Sequence, residues 1–173
     1  MLFGRHYPGC AWLARKVAAW EERHQRRDAP TSKDAWEREY DHGDWRFLQG
    51  DEEAERYGWL VERIDRRLVP VSVLDVGYGE GVLLARSRPR ELQAYTGVDL
   101  SEVAISSARE SHPKADFVVA AAEDFAPPPT YDLVVFNEIV YYLRDPIGEV
   151  ERYLQFVAEG GELLLSVFES TRT

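Results

Sequence analysis

The sequence predicts an α/β fold, in which a doubly wound and mainly parallel sheet of about five strands carries helices on both faces. Three observations predict it. Strand-like and helix-like segments alternate from Val71 towards the end of the chain. The strand-like segments are continuous apolar runs, such as 133–136 and 163–165, as expected for strands covered by helices on both faces. A glycine-rich turn joins the first of these strands to the helix that follows it.

The first third of the chain predicts an N-terminal helical extension. Apolar residues recur at helical spacing over residues 11–27. A break rich in turn formers at 28–32 precedes a second helix that begins near Lys33. A longer amphipathic helix fits residues 52–68, and Pro70 ends it.

We expect residues 1–69 to form this extension and residues 70–173 to form the sheet core, as one folded unit. The last predicted helix ends at Gly160–Gly161, because glycine is common just after a helix. The last strand then runs almost to the end of the chain. The predicted strands cover residues 71–76, 94–99, 117–121, 131–137 and 162–168, and the predicted helices cover 81–87, 102–111 and 146–158.

Composition excludes several classes of protein. The chain of 173 residues has 31 acidic and 21 basic residues and a formal net charge of -10. Such an acidic chain is poorly suited to nucleic acid, which requires clustered basic residues. Cys10 is the only cysteine, so neither an intramolecular disulfide nor a cysteine metal cluster can form, and we expect no metal site.

No apolar run approaches the roughly 20 residues that a membrane span requires. The first 20 residues also lack the uninterrupted apolar segment of a signal peptide. The single cysteine fits a reducing compartment. We therefore expect a cytoplasmic protein without a membrane partner.

The most informative segment is the run from Asp75 to Gly81, Asp-Val-Gly-Tyr-Gly-Glu-Gly. A strand that breaks into a glycine turn and opens a helix places backbone groups against a ligand. A dinucleotide fingerprint would put its third glycine at Val82, so a pyrophosphate loop is disfavoured. The Asp75 carboxylate would repel a pyrophosphate, whereas it would favour a ligand that carries an ammonium group.

A second carboxylate follows the next strand. Asp99 lies about 20 residues beyond the glycine turn, where a carboxylate can accept hydrogen bonds from both ribose hydroxyls. Leu100 could pack on a purine face. Taken alone, Asp99 and Ser101 would be a turn residue and a helix cap, but the spacing from the glycine turn favours the ribose interpretation.

Two further segments follow later strands. Small residues precede a carboxylate at Ala122 and Glu123, a pattern that suits the rim of an adenine pocket. The segment after residue 136 places polar groups at the carboxyl end of a strand, where open α/β sheets carry their active sites. These polar residues are Asn137, Glu138, Tyr141 and Tyr142.

In this order, the four segments resemble the class I S-adenosylmethionine-dependent methyltransferases over Val71 to Phe168. Residues 75–81 are similar to the first motif of that family, 97–101 to its second and 131–137 to its fourth. The resemblance implies a Rossmann-like core and the cofactor S-adenosylmethionine, with S-adenosylhomocysteine as product. It implies methyl transfer to an oxygen or nitrogen atom of a small molecule, such as a sugar or a natural-product intermediate.

The resemblance also implies residue roles. Aromatic residues from Trp36 to Trp45 resemble an N-terminal cap over the cofactor, although ordinary core packing explains them equally well. Glu138 would be the base, and Tyr142, at a position where many relatives carry histidine, would orient the acceptor. His42 and His112 are alternative bases but are more typical of surface histidines. The implied cofactor-binding residues are Asp75, Gly77, Tyr78, Gly79, Gly81, Asp99, Leu100, Ala122, Glu123, Asn137, Tyr40 and Trp45.

The chain departs from the family in three respects. Ala121 stands where many members have an aspartate for the adenine amino group. Tyr78 stands where a small residue is usual, so the turn must direct its ring away from the cofactor. The family sheet usually has seven strands, and five are predicted here. The strand over 162–168 would then be an exposed edge, which could pair with a second copy in a homodimer.

Two other functions stay open at this point. A non-catalytic S-adenosylmethionine- or S-adenosylhomocysteine-binding module, or a partner subunit, would explain Ala121 and the missing strands. A nicotinamide-dependent oxidoreductase would also use a glycine turn, but Val82 in place of the third glycine disfavours it.

Overall fold

The computed structural model describes residues 2–3, 13–19, 32–66, 70–88, 92–127 and 130–167. Its strands are β1 (Leu2–Phe3), β2 (Val71–Val76), β3 (Leu92–Asp99), β4 (Asp116–Val119), β5 (Tyr131–Asn137) and β6 (Val157–Ser166). Its helices are α1 (residues 13–19), α2 (Lys33–His42), α3 (Ala54–Asp65), α4 (Val82–Arg86), α5 (Glu102–Ser111) and α6 (Pro146–Tyr153). Short 3-10 helices cover Arg46–Gln49, Asp51–Glu53, Val140–Tyr142 and Leu154–Phe156.

The strands form one sheet in the order β1-β6-β5-β2-β3-β4. Strands β2 to β6 run parallel to one another, so the predicted parallel sheet of five strands is confirmed. The chain adds β3 and β4 on one side of β2 and then returns to add β5 and β6 on the other side. This reversal beside β2 is the switch point at which open α/β sheets bind their ligands.

Alternate residues of the strands face two separate hydrophobic cores, because successive side chains of a strand point to opposite faces. Leu74, Val134 and Phe136 face one core, in which α1 and α6 also take part. Val73 and Val135 face the other core, which packs against α3, α4 and α5. Helices thus cover both faces of the sheet, as the continuous apolar strands predict.

Three helices begin at side-chain caps. The Ser32 hydroxyl accepts a hydrogen bond from an N–H of α2, the Ser101 hydroxyl from one of α5, and the Asp145 carboxylate from one of α6. Such caps satisfy N–H groups that have no partner within the helix. The sequence predicted a helix that begins near Lys33 and another that begins at Glu102, and both starts are correct.

The predicted end of the last helix is wrong. Helix α6 ends at Tyr153, and β6 begins at Val157 rather than at residue 162. Gly160 and Gly161 lie within β6, where its register with β5 is irregular between the pairs Tyr131–Val157 and Leu133–Glu162. Gly160 has a φ of 74°, and glycines of this kind permit a bulge in a strand.

Smaller differences concern other element ends. Strand β3 begins at Leu92 rather than at 94, and β4 covers Asp116–Val119 rather than 117–121. The helix predicted over 52–68 is α3, preceded by one 3-10 turn. The helix predicted over 11–27 is described only as α1, and the rest of that prediction lies outside the described residues.

The expectation that the last strand is an exposed edge is wrong for part of its length. β1 pairs antiparallel with β6, so that Leu2 lies opposite Leu164 and Phe3 opposite Leu163. Two backbone positions of the edge are thereby covered. No helix in the described part of the chain is long and apolar enough to span a membrane.

Candidate active site

A cavity of about 1480 Å³ opens at the carboxyl ends of β2, β3 and β5, with α2 and α3 contributing to its walls. Of the residues predicted to bind the cofactor or to take part in catalysis, apart from the alternative bases, all but Gly81 line it. The predicted residues that line it are Tyr40, Trp45, Asp75, Gly77, Tyr78, Gly79, Asp99, Leu100, Ala122, Glu123, Asn137, Glu138 and Tyr142.

The glycine turn after β2 has a backbone that requires glycine. Gly77, Gly79 and Gly81 all have φ values between 57° and 75°, in the left-handed region that other residues rarely adopt. The turn is anchored to β3, because the backbone N–H groups of Gly77 and Tyr78 both donate to the Val98 carbonyl, at 2.8 and 3.0 Å. The turn therefore has a fixed shape at the end of the central strand.

Tyr78 is among the residues that line the cavity, and its ring packs into the core below the turn. It is 5% exposed and packs edge-on against Tyr95 and Phe117. A Cβ atom placed on Gly81 would collide with the Tyr78 hydroxyl. Gly81 therefore makes room for the Tyr78 ring.

Asp99 connects the glycine turn to the start of α5. Its carboxylate accepts hydrogen bonds from the Gly79 N–H and the Ser101 N–H, both at 2.8 Å. Burial raises the pKa of Asp99 to about 6, although these N–H donors oppose the effect. A carboxylate has about four acceptor positions, so Asp99 can still accept hydrogen bonds from a ligand.

Asp75 is a buried carboxylate beneath the turn. The Tyr95 hydroxyl donates a hydrogen bond of 2.6 Å to it. Burial raises the pKa of Asp75 to about 7, and the charge of Asp99 adds to this effect, while the hydrogen bond from Tyr95 opposes it. A cationic group bound in the cavity would favour the ionised form of Asp75.

Helix α2 places aromatic rings over this end of the sheet. Trp36 stacks on Trp45 with ring centroids 5.4 Å apart, and Tyr40 stacks on Trp36 at 6.1 Å. The Tyr40 hydroxyl lies near Gly79. Burial raises the pKa of Tyr40, and the charge of Asp99 raises it further. These rings line the cavity as well as packing on one another, so the predicted role of the aromatic segment as a cap over the cofactor stays a prediction.

Glu37 fastens α2 to the core. Its carboxylate accepts hydrogen bonds from the Ser101 hydroxyl and from the backbone N–H groups of Glu102 and Val103, at 2.8 to 3.1 Å. Burial raises the pKa of Glu37, but these donors, with Lys33 nearby, outweigh burial and hold the pKa below its usual value. Glu37 thus caps α5 from another helix.

The predicted adenine rim follows β4. Ala122 is buried, and its carbonyl accepts hydrogen bonds from Tyr153 at 2.8 Å and from Arg152 at 2.6 Å. The Glu123 carboxylate accepts a hydrogen bond from the Arg144 N–H at 3.2 Å. These contacts fix the rim from the side of α6.

A polar group of residues follows β5. The Asn137 side-chain oxygen accepts a hydrogen bond of 3.1 Å from Arg56 of α3. Glu138 has a φ of 61°, which is unusual for a residue other than glycine and occurs most often at functional sites. Its carboxylate accepts a hydrogen bond of 2.5 Å from the Ser166 hydroxyl. Burial, with a smaller contribution from the charges of Glu138 and Glu39, raises the pKa of Tyr142 to about 12.

Sequence reasoning missed two residues of this site. Arg56 is the only cationic side chain among the described residues that line the cavity, and it bridges Glu53 at 2.7 Å and Asn137. Glu37 fastens the aromatic helix. Both act through contacts across 60 or more positions of the chain, at spacings that no local pattern marks.

The alternative bases lie elsewhere. Neither His42 nor His112 is among the described residues that line the cavity, and His42 is exposed. Within the described ranges, no three His, Cys, Asp or Glu side chains are grouped in a way that could hold a metal ion.

Comparison with known proteins identifies the family. A family model described as a methyltransferase domain matches residues 22–172. The chain belongs to this methyltransferase domain family. The match includes the glycine turn, Asp99 and the segment after β5, and it agrees with the resemblance that the motifs indicate.

Similar sequences include O-methyltransferases. The ubiquinone biosynthesis O-methyltransferase of Aromatoleum aromaticum is 37% identical over 114 residues, covering 61% of the chain and 48% of that relative. The protein of the same name from Klebsiella pneumoniae subsp. pneumoniae is 35% identical over 117 residues, covering 64% and 48%. The methyltransferase domain thus spans about half the length of these curated relatives.

Similar solved structures include N-methyltransferases. NodS from Bradyrhizobium japonicum WM9, in complex with S-adenosylhomocysteine, has a TM-score of 0.68 and 23% identity, and the match covers 79% of this chain and 72% of NodS. The sugar N-methyltransferase KedS8 from Streptoalloteichus sp ATCC 53650 has a TM-score of 0.62 and 25% identity, with 76% and 54% covered. The likeness to NodS confirms the fold of this methyltransferase domain.

A side chain at position 81 would collide with Tyr78, so two glycine substitutions should differ in how much they lower the free energy of unfolding. Gly81→Ala and Gly160→Ala both force alanine into a left-handed backbone, at about 1 kcal/mol or more each. Only Gly81→Ala also meets a buried side chain, whereas nothing lies within 4 Å of a Cβ on Gly160. We expect Gly81→Ala to lower the free energy of unfolding, measured in urea, by clearly more than Gly160→Ala.

A second variant reduces the collision and leaves the backbone strain unchanged. The Tyr78 hydroxyl is buried without a hydrogen-bond partner among the described residues, so Tyr78→Phe should be neutral or stabilising. In the Tyr78→Phe background, Gly81→Ala should cost less than it does in the wild type. Equal costs for the two glycine substitutions in the wild type would contradict this account of the turn.

The raised pKa of Asp75 predicts a pH-dependent stability. The folded carboxyl holds its proton to about pH 7, whereas the unfolded carboxyl has a pKa of 3.8. Between these values the folded state binds more protons, so its stability falls as pH rises. We expect the free energy of unfolding to fall between pH 5 and 8 by about 2 kcal/mol more in the wild type than in Asp75→Asn.

The matched control is Asp116→Asn, which changes an exposed aspartate at the start of β4. This variant should keep the wild-type dependence on pH. A wild-type slope that Asp75→Asn leaves unchanged would show that Asp75 is not the group responsible.

Proposed function

We propose that the protein transfers a methyl group from S-adenosylmethionine to an oxygen or nitrogen atom of a small molecule. The observation that carries the proposal is the anchored glycine turn with the Asp99 carboxylate beside it, at the mouth of a cavity on the switch point of the sheet. Membership in the methyltransferase domain family supports it. Solved relatives that contain S-adenosylhomocysteine support the same cofactor.

The residues present fit this cofactor. We propose that Gly77 and Gly79 leave room for its methionine part and that Asp75, whose ionised form a cation favours, lies on the side of its ammonium group. Asp99 would hold the ribose hydroxyls with its remaining acceptor positions. The adenine would lie between Leu100 and Ala122, near Glu123, and Ala121 at the rim brings no carboxylate of its own.

Other assignments concern the cap and the chemistry. When bound, S-adenosylmethionine supplies an activated methyl group, so the chain must mainly position the acceptor and exclude water. We propose that residues 1–69 act as the cap over the core formed by residues 70–173, with Tyr40 and Trp45 covering the cofactor. Glu138 would accept a proton from the acceptor.

Tyr142 would orient the acceptor, because a phenol with a raised pKa is a poor base at neutral pH. Asn137, held by Arg56, would contribute a polar contact at the same end of the cavity. Backbone atoms of Tyr78 and Gly81 would act only by shaping the turn.

The size and charge of the cavity support a small acceptor. Its volume of about 1480 Å³ exceeds the roughly 300–1,000 Å³ of a site for one ligand, so it can hold a cofactor and a second molecule. Its one described cation, Arg56, and the acidic chain disfavour nucleic acid. We also propose a cytoplasmic location, which fractionation of the native cells would test.

A homodimer through β6 stays a proposal. β1 covers the edge only at Leu163 and Leu164, so a second copy would have to pair with the earlier part of the strand, Val157–Glu162. Sedimentation that finds only monomer at high protein concentration would eliminate it.

Calorimetry with S-adenosylmethionine and S-adenosylhomocysteine tests the function. We expect both to bind the wild type, and Asp99→Ala to lose most of the affinity, about tenfold or more, because hydrogen bonds to a charged group are lost. Asp99→Asn should lose less, since an amide oxygen still accepts hydrogen bonds.

The control is Asp116→Ala, at an exposed position of β4, which should bind like the wild type. Because Asp99 also holds the turn, the melting temperature of each variant must show that it is folded. Folded wild-type protein that binds neither ligand would refute the proposed cofactor. Unchanged affinity in Asp99→Ala would refute the ribose role.

A further inference from the structure

The aromatic wall of the cavity consists of Trp36, Tyr40, Trp45 and Tyr142. The Trp36 ring meets the Tyr142 ring edge-on at 4.9 Å and stacks on Trp45, so the wall is continuous from α2 to the end of β5. All four rings line the cavity. Tyr40 and Trp45 are proposed to cover the cofactor. Trp36 and Tyr142 form the rest of the wall, where an acceptor would lie.

Two carboxylates flank this part of the wall. Glu39 of α2 accepts a hydrogen bond of 3.1 Å from the Trp45 indole N–H, so its charge is fixed beside the rings. Glu138 lines the same cavity, and its carboxylate accepts a hydrogen bond from Ser166. The charges of both carboxylates raise the pKa of Tyr142, which lines the cavity with them.

Positive charge is scarce here. Among the described lining residues only Arg56 is cationic, and it forms salt bridges with Glu53 at 2.7 Å and with Glu138 at 3.7 Å, whereas Glu39 forms no salt bridge with a described residue. Its guanidinium stands over the Tyr57 ring, outside the aromatic wall. No guanidinium of a described residue is placed over Trp36 or Trp45, although other aromatic rings of the protein carry one.

We propose that the acceptor is a protonated amine, bound against the aromatic wall beside the carboxylates of Glu39 and Glu138, and that the protein is an N-methyltransferase of such amines. This inference rests on the proposed function and specifies its acceptor. Aromatic faces attract cations, and carboxylates held nearby add to that attraction.

Other acceptors fit this wall less well. A carboxylate or phosphate on the acceptor would face Glu39 and Glu138 with a like charge and would be repelled. A neutral alcohol would gain neither cation–π nor ionic attraction. An alcohol would also need a strong base, whereas an amine needs only to lose the proton that already makes it a cation.

The chemical step balances with these groups. The ammonium of the acceptor gives one proton to the Glu138 carboxylate, which leaves a neutral amine with a lone pair. That lone pair forms the new N–C bond to the methyl carbon as the C–S bond breaks, and the electron pair of the broken bond stays on sulfur. The sulfonium becomes a neutral thioether, and the product is a methylated ammonium ion.

Three probes of one shape test the inference: benzylamine, benzyl alcohol and benzoate. Each is titrated, with tryptophan fluorescence as the readout, into full-length protein that is first shown by calorimetry to be saturated with S-adenosylhomocysteine. We expect benzylamine to bind about tenfold or more tightly than either of the others, the size of a cation–π contact with ionic support.

Variants test which residues cause the preference for benzylamine. Glu39→Gln and Glu138→Gln should each lower the affinity for benzylamine several-fold and leave that for benzyl alcohol unchanged. Trp36→Leu should lower the affinity for benzylamine. The control Glu110→Gln, at an exposed position of α5, should change neither. With S-adenosylmethionine, benzylamine should yield an N-methyl product, detected by mass spectrometry.

The proposed function and the inference about the acceptor are refuted by different results. Failure of S-adenosylhomocysteine to bind overturns the proposed function and this inference with it. If S-adenosylhomocysteine binds, two results overturn this inference alone. One is that benzyl alcohol or benzoate binds as tightly as benzylamine, and the other is that none of the three probes binds. A preference for benzylamine that survives in the folded Glu39→Gln and Glu138→Gln variants also overturns it.

Discussion

The hydrogen bond from the Gly79 N–H to the Asp99 carboxylate is the contact on which the rest of the site depends. It joins the glycine turn of β2 to the end of β3, where the Val98 carbonyl also accepts two N–H groups of the turn. The turn can take this path only because Gly81 leaves space for the Tyr78 ring. The backbone shape of the turn, the packing of the Tyr78 ring and the position of the Asp99 carboxylate therefore depend on one another.

The same end of β3 also fixes helix α2. Ser101, whose N–H donates to Asp99, donates its hydroxyl to Glu37 of α2. One short segment thus holds the glycine turn on one side and the aromatic helix on the other. A cavity that is open to solvent gains its aromatic wall through this contact, and the wall lies within reach of the carboxylates of Glu39 and Glu138.

Local signals predicted the sheet core well and the tertiary contacts of the N-terminal helices poorly. β5 and α5 have the predicted bounds, because a proline run precedes one and Ser101 caps the other. Gly160 and Gly161 misled the prediction, since glycine suits a strand bulge as well as a helix end. Arg56 and Glu37 could not be predicted, because their partners are distant in sequence and are set by tertiary packing.

The central claim is that the glycine turn and Asp99 form the cofactor site, and amide NMR tests it at individual residues. S-adenosylhomocysteine is titrated into ¹⁵N-labelled protein, and the chemical shifts of the backbone amides are followed. The account predicts the largest changes at Gly77, Gly79 and Leu100, with small changes in β6. Saturable shifts confined to other parts of the chain, with these amides unmoved, would contradict it.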